Sequence, residues 1–406
     1  MAMKQTQTKM FDFADVGLDF CSGSKNLFPD RFKKMLSQGY NEQTVASVLV
    51  TGNQVTLNYG VAHGYVADRV LKVNSGALAG INDGEFWIDA VTTTSVTMTI
   101  DAAPASIAGG FVTKIASLGF ELVYEQPPIH IYKFKSLNDE ELFLRLCFQT
   151  VLNHKNTVVP CIGWTADLES GIILDSLTLE ANRSALTPGA EFNWNFANVP
   201  SNAHNNYTYS QGFGTYGQGV VVGSKYHIVF LTAVEKHYYF NGVLPAYFID
   251  VFGFEGRAPV VMFGVSNGAP GAIYYDYTGK IHRAFIGEQA VTFSGNKNSP
   301  YTFDYGIGTT ANFYPENIEA FNTVPTEPLL IYEAVNKKFI GAAYGAHSLK
   351  LGTATRVIAQ GVGDQPVKIT EIDFDHQCLI HSLSIRDGLS DIAYLAIPIE
   401  AIKIEN

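Results

Sequence analysis

The sequence predicts a mainly β, multi-domain protein, and three features lead to this prediction. The chain has 406 residues, enough for two or three domains of ordinary size. Hydrophobic residues make up 47% of it, which supplies buried cores. Runs of β-branched residues recur at roughly ten-residue spacing, separated by Gly, Asn and Asp as in hairpin turns. We therefore expect β-sandwiches or barrels.

The first predicted element is a short amphipathic helix in an N-terminal segment, residues 1–42. Pro29 suits the first turn of a helix because a missing amide is tolerated there. Phe32 and Leu36 lie on one helical face, and Gly39 ends the helix.

Residues 43–118 predict a small all-β domain. The runs from Val45 to Val50, Gln54 to Leu57 and Ser95 to Ile100 are β-branched and are interrupted at hairpin distances. The sequence "NDG" at Asn82 to Gly84 matches part of a calcium loop. The other ligand positions and the closing Glu of such a loop are missing, so we expect a hairpin turn there.

Residues 119–350 predict a larger β-sandwich or barrel region, and Pro127 and Pro128 indicate a linker at its start. Strand pairs are expected around three turns: Asn138-Asp139, "FNG" at Phe240 to Gly242, and Asn336. The C-terminal residues 351–406 alternate again and turn at Asp387-Gly388. These last strands are expected to complete or flank the larger region.

Residues 188–219 are rich in Asn and aromatic residues and predict a long loop over the larger region. Aromatic and amide side chains together bind sugars, and they also dominate protein interfaces. Three roles stay open for these aromatic residues: packing the loop onto the barrel, subunit contact, and glycan binding. The candidate interaction residues are Trp194, Phe196, Tyr207, Tyr209, Phe213 and Tyr216.

Charge and composition narrow the class of partner. Charged residues make up only 16% of the chain, which also has 27 Phe and 21 Tyr. A surface poor in charge is typical of a subunit buried in an assembly; it also suits a β protein with a polar, uncharged surface. The net charge of -11 argues against sequence-independent nucleic-acid binding, which needs clustered Lys and Arg.

The cysteines and the apolar runs bear on the cellular compartment. The four cysteines lie far apart without a C-x-x-C pair, so we expect buried thiols and neither a zinc site nor a disulfide framework. We find no signal-peptide core at the N-terminus and no run of about 18 apolar residues, so we expect cytoplasmic synthesis and no membrane span. The cysteines are Cys21, Cys147, Cys161 and Cys378.

Gly212, Gly214 and Gly217 have the spacing G-x-G-x-x-G of a phosphate-binding loop. In a dinucleotide site these glycines lie between a strand and a helix whose N-terminus faces the phosphate. Here the strand-like sequence "VVVGSKYHIVF" follows the glycines, and the kinase motifs are missing as well. We expect a glycine-rich turn leading into a strand, and no cofactor.

No residue pattern predicts a catalytic or metal site. None of the ten histidines lies in H-E-x-x-H, and His376 and His381 fall on opposite strand faces, so structural or solvated roles are expected. Two carboxylate pairs have the i, i+2 spacing that puts both members of a pair on one face of a strand, where they could flank a sugar. The same spacing is also typical of exposed strand edges. They are Asp167 with Glu169 and Asp373 with Asp375.

The segment "VAHGYVADRVLKVNSGALAGINDGEFWIDAVTTTSVTMTI" resembles a small β domain that recurs in tailed-bacteriophage tail proteins. That domain is similar to the FCCH domain of ubiquitin-activating enzymes. Its pattern is an "HG" turn, a hydrophobic strand, "NG-x-F" and a Thr-rich strand. His63-Gly64, Val70 to Val73, Asp83 to Phe86 and Thr92 to Thr99 occupy those places.

Flanking segments resemble the same group of phage virion proteins. Gly39 to Asn41 is similar to the end of the segment that precedes the domain, and Gly119 to Glu121 is similar to a "GW-E" motif that follows it. Lys133 to Ser136 stands where the group has a "YR-S" strand. The strand pair from Tyr226 to Gly256 resembles a strand pair of the group that ends near an "FGD" turn, although Asn241 and Gly242 follow Phe240 here.

The resemblance implies a structural component of a tailed-phage virion, at or near the tail, as a tail, collar or baseplate subunit. Such a protein acts as an assembly scaffold or adaptor, through copies of itself in a symmetric homo-oligomer and through other tail or neck proteins. It is assembled in the host cytoplasm and brings no catalytic residues. The alternatives are a receptor- or glycan-binding tail module, and a tail-associated glycan hydrolase that uses the carboxylate pairs.

Overall fold

The computed structural model describes most of the chain. The described residues are 8–74, 80–189, 192–197, 203–234, 237–248, 253–266, 281–293, 326–336, 338–349, 367–371, 376–384 and 392–399. The predicted turn at Asp387-Gly388 and the pair Asp373 with Asp375 lie outside these residues.

The predicted N-terminal helix is present and is fixed by its apolar face. Phe28, Phe32, Met35 and Leu36 are fully buried. Gly39, with φ +75°, ends the helix because that backbone conformation favours glycine. The helices are α1 (Phe28–Lys33), continued by a π-helical turn (Lys34–Gln38), α2 (Glu180–Arg183) and α3 (Tyr209–Tyr216).

Strands make up most of the regular structure, so the predicted mainly β, multi-domain fold class is confirmed. The strands are β1 (Lys9–Asp12), β2 (Tyr40–Thr44), β3 (Ser47–Thr51), β4 (Gln54–Asn58), β5 (Val70–Asn74), β6 (Glu85–Trp87), β7 (Ala90–Val91), β8 (Ser95–Thr99), β9 (Val112–Ile115), β10 (Glu121–Gln126), β11 (Ile129–Lys135), β12 (Glu141–Phe148), β13 (Asn156–Gly163), β14 (Ala166–Asp167), β15 (Ile172–Ile173), β16 (Phe192–Ala197), β17 (Gly219–Ser224), β18 (His227–Val234), β19 (His237–Phe248), β20 (Val260–Ser266), β21 (Ile281–Ile286), β22 (Gln289–Phe293), β23 (Thr326–Glu333), β24 (Phe339–Leu349), β25 (Val367–Glu371), β26 (His376–Ser384) and β27 (Ile392–Pro398).

Six consecutive strands, β19 to β24, close into an antiparallel barrel, because β24 pairs back onto β19. Successive side chains of β20 point to opposite faces of the sheet and so belong to two different hydrophobic cores. Val261 and Phe263 belong to an aliphatic core with Leu329 and Ile331 from the opposite wall of the barrel. Met262 points to the other side of the sheet. Closure satisfies the backbone groups that a strand edge would leave unpaired.

The sheet extends beyond the barrel on both sides. On one side, β19 pairs with β18, and the sheet continues through β17 to β1. On the other side, β20 pairs with β16, and the sheet continues through β13, β12 and β11 to β10, with every pair antiparallel. α1 lies against this sheet through an aromatic cluster. The Phe32 ring is 4.9 Å from that of Phe230 and 6.0 Å from that of Phe196. The Trp194 ring lies 5.4 Å from Phe230.

Strands β2 to β9 form two separate four-stranded sheets, in the orders β2-β9-β5-β6 and β3-β4-β8-β7. We call this part, Tyr40–Ile115, the small two-sheet unit. Leu57, Val73 and Met98 are fully buried in it. The predicted turn at Asn82 to Gly84 is present, with the Gly84 amide donating to the Ile81 carbonyl over 3.1 Å.

An N-terminal segment lies between the small two-sheet unit and the long sheet. Its strand β1 pairs with β17. Beyond β1, both guanidinium arms of Arg69 donate to the carboxylate of Asp15 at 2.8 Å, and Tyr40 donates to the same carboxylate over 2.6 Å. Burial opposes the charge on Arg69, but Asp15 outweighs that effect and raises the Arg69 pKa. Lys9 of β1 forms a 2.7 Å ion pair with Glu85.

Two further predicted turns occur, whereas the predicted turn at Phe240 to Gly242 and the predicted linker at Pro127 and Pro128 are wrong. The hairpins at Asn138-Asp139 and around Asn336 connect β11 with β12 and β23 with β24. Phe240 to Gly242 lies inside β19, because Phe240 fills the barrel-side core and Asn241 donates to the Asn195 carbonyl over 3.0 Å. Pro127 and Pro128 are the two-residue turn between β10 and β11, where an amide donor is not needed, and not a linker.

We predict that Arg69→Ala lowers the free energy of unfolding by about 3–5 kcal/mol, because it leaves the Asp15 carboxylate buried without its cation. The double variant Asp15→Asn with Arg69→Met should recover part of that loss. The control is Lys133→Ala, which removes solvent-accessible ion pairs with Glu121 and Glu141 and should change the stability far less, because water screens such pairs. Urea unfolding followed by far-UV circular dichroism measures all three, and equal losses for Arg69→Ala and Lys133→Ala would contradict the prediction.

Candidate functional site

The segment predicted as a long loop, 188–219, contains a strand and a helix instead. Phe192–Ala197 forms β16, whose aromatic residues alternate with Asn. Trp194 and Phe196 are fully buried and contact the aromatic core under α1. These two predicted interaction residues therefore do not lie at a surface. The alternation of aromatic residues with Asn has the period of two that indicates a strand, but the high Asn content favours a loop.

Helix α3 follows β16. Two of the three glycines that were predicted to form a turn, Gly212 and Gly214, lie within this helix. The Thr208 amide donates to the Gln211 side chain over 2.9 Å, and the Tyr209 amide donates to Asp19 over 3.0 Å. Gly212 sits against Cys21, whose sulfur leaves no room for an added Cβ. Gly217, with φ +67°, ends the helix and leads into β17, so only this last glycine fits the predicted turn.

The order of elements around these glycines is the reverse of a phosphate loop. A helix comes before the last glycine and a strand comes after it. The amides at the start of α3 already have partners in Gln211 and Asp19, so that end of the helix is occupied by the protein itself.

Tyr209 and Phe213 form an aromatic pair on the outer side of α3, four residues apart. Their rings lie 5.6 Å apart at 18°, and Phe213 is 42% exposed. Tyr209 packs its inner side against the core. Burial, and then the nearby Asp12, raise the Tyr209 pKa to about 12, so its hydroxyl stays protonated. We call these two residues the α3 aromatic pair.

The remaining predicted aromatic residues support α3 from within. Tyr216 is buried and bonds to the His204 ring. Tyr207 is half-buried, with its ring 4.8 Å from His204. Of the six predicted residues, the structure therefore places Tyr209 and Phe213 together at the surface, with Tyr207 nearby. Whether this surface binds a partner stays a prediction.

The sequence did not single out several exposed aliphatic residues, which lie in the loop after β1 and in the small two-sheet unit. The loop that carries Asp19, the partner of the Tyr209 amide, also carries Val16, which is 53% exposed. Val16 packs against Gly64 of the small two-sheet unit, whose neighbours Val61 and Val66 are exposed as well. Sequence patterning assigns isolated valines to the core, so only three-dimensional placement identifies them.

Other candidate groups have structural partners. Asp167 accepts the Ser170 hydroxyl at 2.5 Å and the Glu169 amide at 2.9 Å within its own turn, and these bonds lower its pKa. All four cysteines are buried and outside disulfides, as predicted, and burial raises the Cys161 pKa to about 12. Across the described part of the chain no group of His, Cys, Asp and Glu could hold a metal ion.

Three buried histidines stay neutral inside the fold. The ring of His381 bonds to the Tyr239 carbonyl at 2.9 Å, that of His227 to Ser224 at 2.8 Å, and that of His130 to Tyr132 at 2.9 Å. Burial lowers the pKa of each to about 4. The structural role expected for His381 agrees with this placement.

No family model matches the chain, and no curated protein matches it. Among solved structures the chain is similar to the phage phi92 endosialidase, with 10% identity and a TM-score of 0.16. The similarity covers 90% of this chain and 52% of that one, so the chain spans about half the length of the endosialidase. A TM-score this low carries no argument, and the FCCH-like resemblance stays a prediction. Within the described residues, no helix is long and apolar enough to cross a membrane.

We predict that acidification from pH 6.5 to pH 4 destabilises the protein through its buried histidines. The unfolded state binds protons on these rings below about pH 6.5, whereas the folded state binds them only near pH 4. Each histidine therefore contributes up to about 3 kcal/mol that is present at neutral pH and lost towards pH 4. Proton NMR titration of the three rings checks this: midpoints near 6.5 would contradict it.

Proposed function

We propose that this protein is a structural component of a tailed-phage virion, located at or near the tail, which acts as a scaffold or adaptor by binding other proteins. The observation that carries the proposal is the α3 aromatic pair, with Phe213 42% exposed on a rigidly held helix. The phage assignment rests on the resemblance of its small β domain and flanking segments. We propose no catalytic activity for it.

An exposed aromatic residue on a rigid element is suited to protein contact. Its ring buries a large apolar area with few rotatable bonds to immobilise, which is why aromatic residues are enriched among interface hot spots. α3 is fixed at both ends, by the contact of Tyr209 with Asp19 and by the buried Tyr216. Little conformational entropy is therefore lost when a partner covers Phe213.

The partners that we propose are copies of the chain and other tail or neck proteins. Only 16% of the residues are charged, so a large part of the surface can be covered without desolvating ions. Assembly in the host cytoplasm and a symmetric homo-oligomer belong to the same proposal. The test begins with the composition of purified virions.

A second candidate function, glycan binding on a tail module, is favoured by the amides beside these aromatic residues. Asn26 donates to Asn206 over 3.1 Å at an exposed position, and Asn206 immediately precedes Tyr207. Exposed rings and amides together can stack on a sugar face and bond to its hydroxyls. Trp194, the largest aromatic residue of the predicted loop, takes no part because it is buried.

We expect the chain in purified virions by mass spectrometry, and we expect Phe213→Glu to reduce incorporation of the protein into particles. Loss of a hot-spot aromatic costs about 2 kcal/mol, roughly thirtyfold in affinity. The matched control is Leu186→Glu, at another exposed position that is 68% exposed and outside the surface. Virions that lack the wild-type chain, or equal incorporation of both variants, would contradict the proposal.

A glycan array separates the two candidates. For a scaffold we expect no specific glycan binding by the wild-type protein. Specific binding that disappears in Phe213→Ala and persists in Leu186→Ala would establish the second candidate instead, because only the first substitution removes the exposed ring.

A further inference from the structure

Strand β3 is an edge strand whose outer backbone groups point to solvent. In its sheet, β3 pairs with β4 on one side, and the described residues provide no strand on the other. The two-residue turn closes on the pair Thr51 and Gln54. The closing pair of such a turn is hydrogen-bonded, and hydrogen-bonded and non-hydrogen-bonded residue pairs alternate along the two strands. Val48 and Val50 therefore belong to non-hydrogen-bonded pairs, and their amides and carbonyls point away from β4.

From Val48 to Thr51 this edge lacks the usual protection against pairing, whereas at its start the backbone of Gly109 lies against Ala46 and Ser47. Edge strands of natural proteins carry charges, prolines or bulges that prevent contact with other strands. From Gln43 to Ala67 the chain has no Asp, Glu, Lys or Arg. β3 has regular register along its whole length, and Leu49 at its centre is 66% exposed.

Among the described residues, the other edge strands of five or more residues differ in this respect. β10 carries Glu121 and Glu125, and β25 carries Lys368 and Glu371. β2, at the edge of the other small sheet, contains a bulge. The uncharged edge of β3 is therefore not a general property of this protein, although the whole chain is poor in charge.

The sequence of β3 is nearly symmetric about its central residue: Ser-Val-Leu-Val-Thr, with Leu49 in the middle. When two antiparallel copies of β3 pair across a two-fold axis at Leu49, this symmetry places valine opposite valine and serine opposite threonine. Val48 would then exchange backbone bonds with Val50 of the partner copy. Leu49 would face its own equivalent in a non-bonded pair, where Cα atoms lie about 4.5 Å apart.

We propose that the β3 edge binds a second copy of this chain, joining two four-stranded sheets into one of eight strands through an isologous interface. The net charge of -11 makes two copies repel over most of their surface, so an uncharged edge is where they can approach. Pairing also covers Leu49, which otherwise exposes its side chain beside Thr56 of β4.

This inference deepens the proposed function and rests on it, because a virion subunit acts through copies of itself. The two surfaces are separate: the α3 aromatic pair has no part in the β3 contact. A result on β3 from the isolated protein therefore leaves the Phe213 experiment with virions unaffected. A strand from a different protein would use the same backbone groups, but it would not impose the symmetric register.

The experiment is oxidative cross-linking of the purified full-length protein with single cysteines, catalysed by copper phenanthroline. Leu49→Cys places two thiols at a Cα separation that suits a disulfide. Leu186→Cys, equally exposed, is the control, and the native cysteines are buried and unreactive. We expect Leu49→Cys to form covalent dimers roughly tenfold faster or more, since pairing raises the effective concentration of the thiols.

Register gives a second measurement. Symmetric pairing places Ser47 opposite Thr51 of the partner copy, so a mixture of Ser47→Cys and Thr51→Cys proteins should cross-link faster than either alone. Equal rates for Leu49→Cys and Leu186→Cys would overturn the proposal. So would Ser47→Cys cross-linking to itself as fast as in the mixture, because that would indicate a different register or random collision.

Discussion

The architecture depends on the buried contact between Asp15 and Arg69. Two charges removed from water are stable there only because the guanidinium donates twice to the carboxylate and Tyr40 donates once more. Asp15 lies in the loop after β1, a strand of the long sheet, and Arg69 belongs to the small two-sheet unit. This ion pair therefore fixes how the two parts of the molecule meet.

The same loop connects this contact to the surface for which we propose a function. Phe13 and Phe20 stack at 4.0 Å across its base, and Asp19 accepts the first amide of α3. The position of Phe213 thus follows from packing that begins at the ion pair. α3 and β3 present uncharged residues on two rigid parts of a molecule with few charges overall, an arrangement suited to burial between subunits.

Much of the fold was predictable because its information is local. The apolar face of α1 and the hairpin at Asn138-Asp139 follow from residues close in sequence. Closure of the barrel by β19 and β24 depends on pairing between distant residues, which no periodicity encodes. α3 was missed because two of its eight residues are glycines and its stabilising partner, Asp19, is 190 residues away. The exposure of Leu49 depends on which face of β3 is buried, and the apolar run alone does not specify that.

We propose that uncharged surfaces of this protein are covered by other protein chains in the virion. This can be measured by comparing amide hydrogen exchange between the isolated protein and purified particles. We expect slower exchange in the particle for peptides covering β3 and α3, and unchanged exchange for the exposed turn at Asn138-Asp139. Equal exchange of the β3 and α3 peptides in both samples, or the absence of the chain from the particle, would show that these surfaces are not covered in the virion.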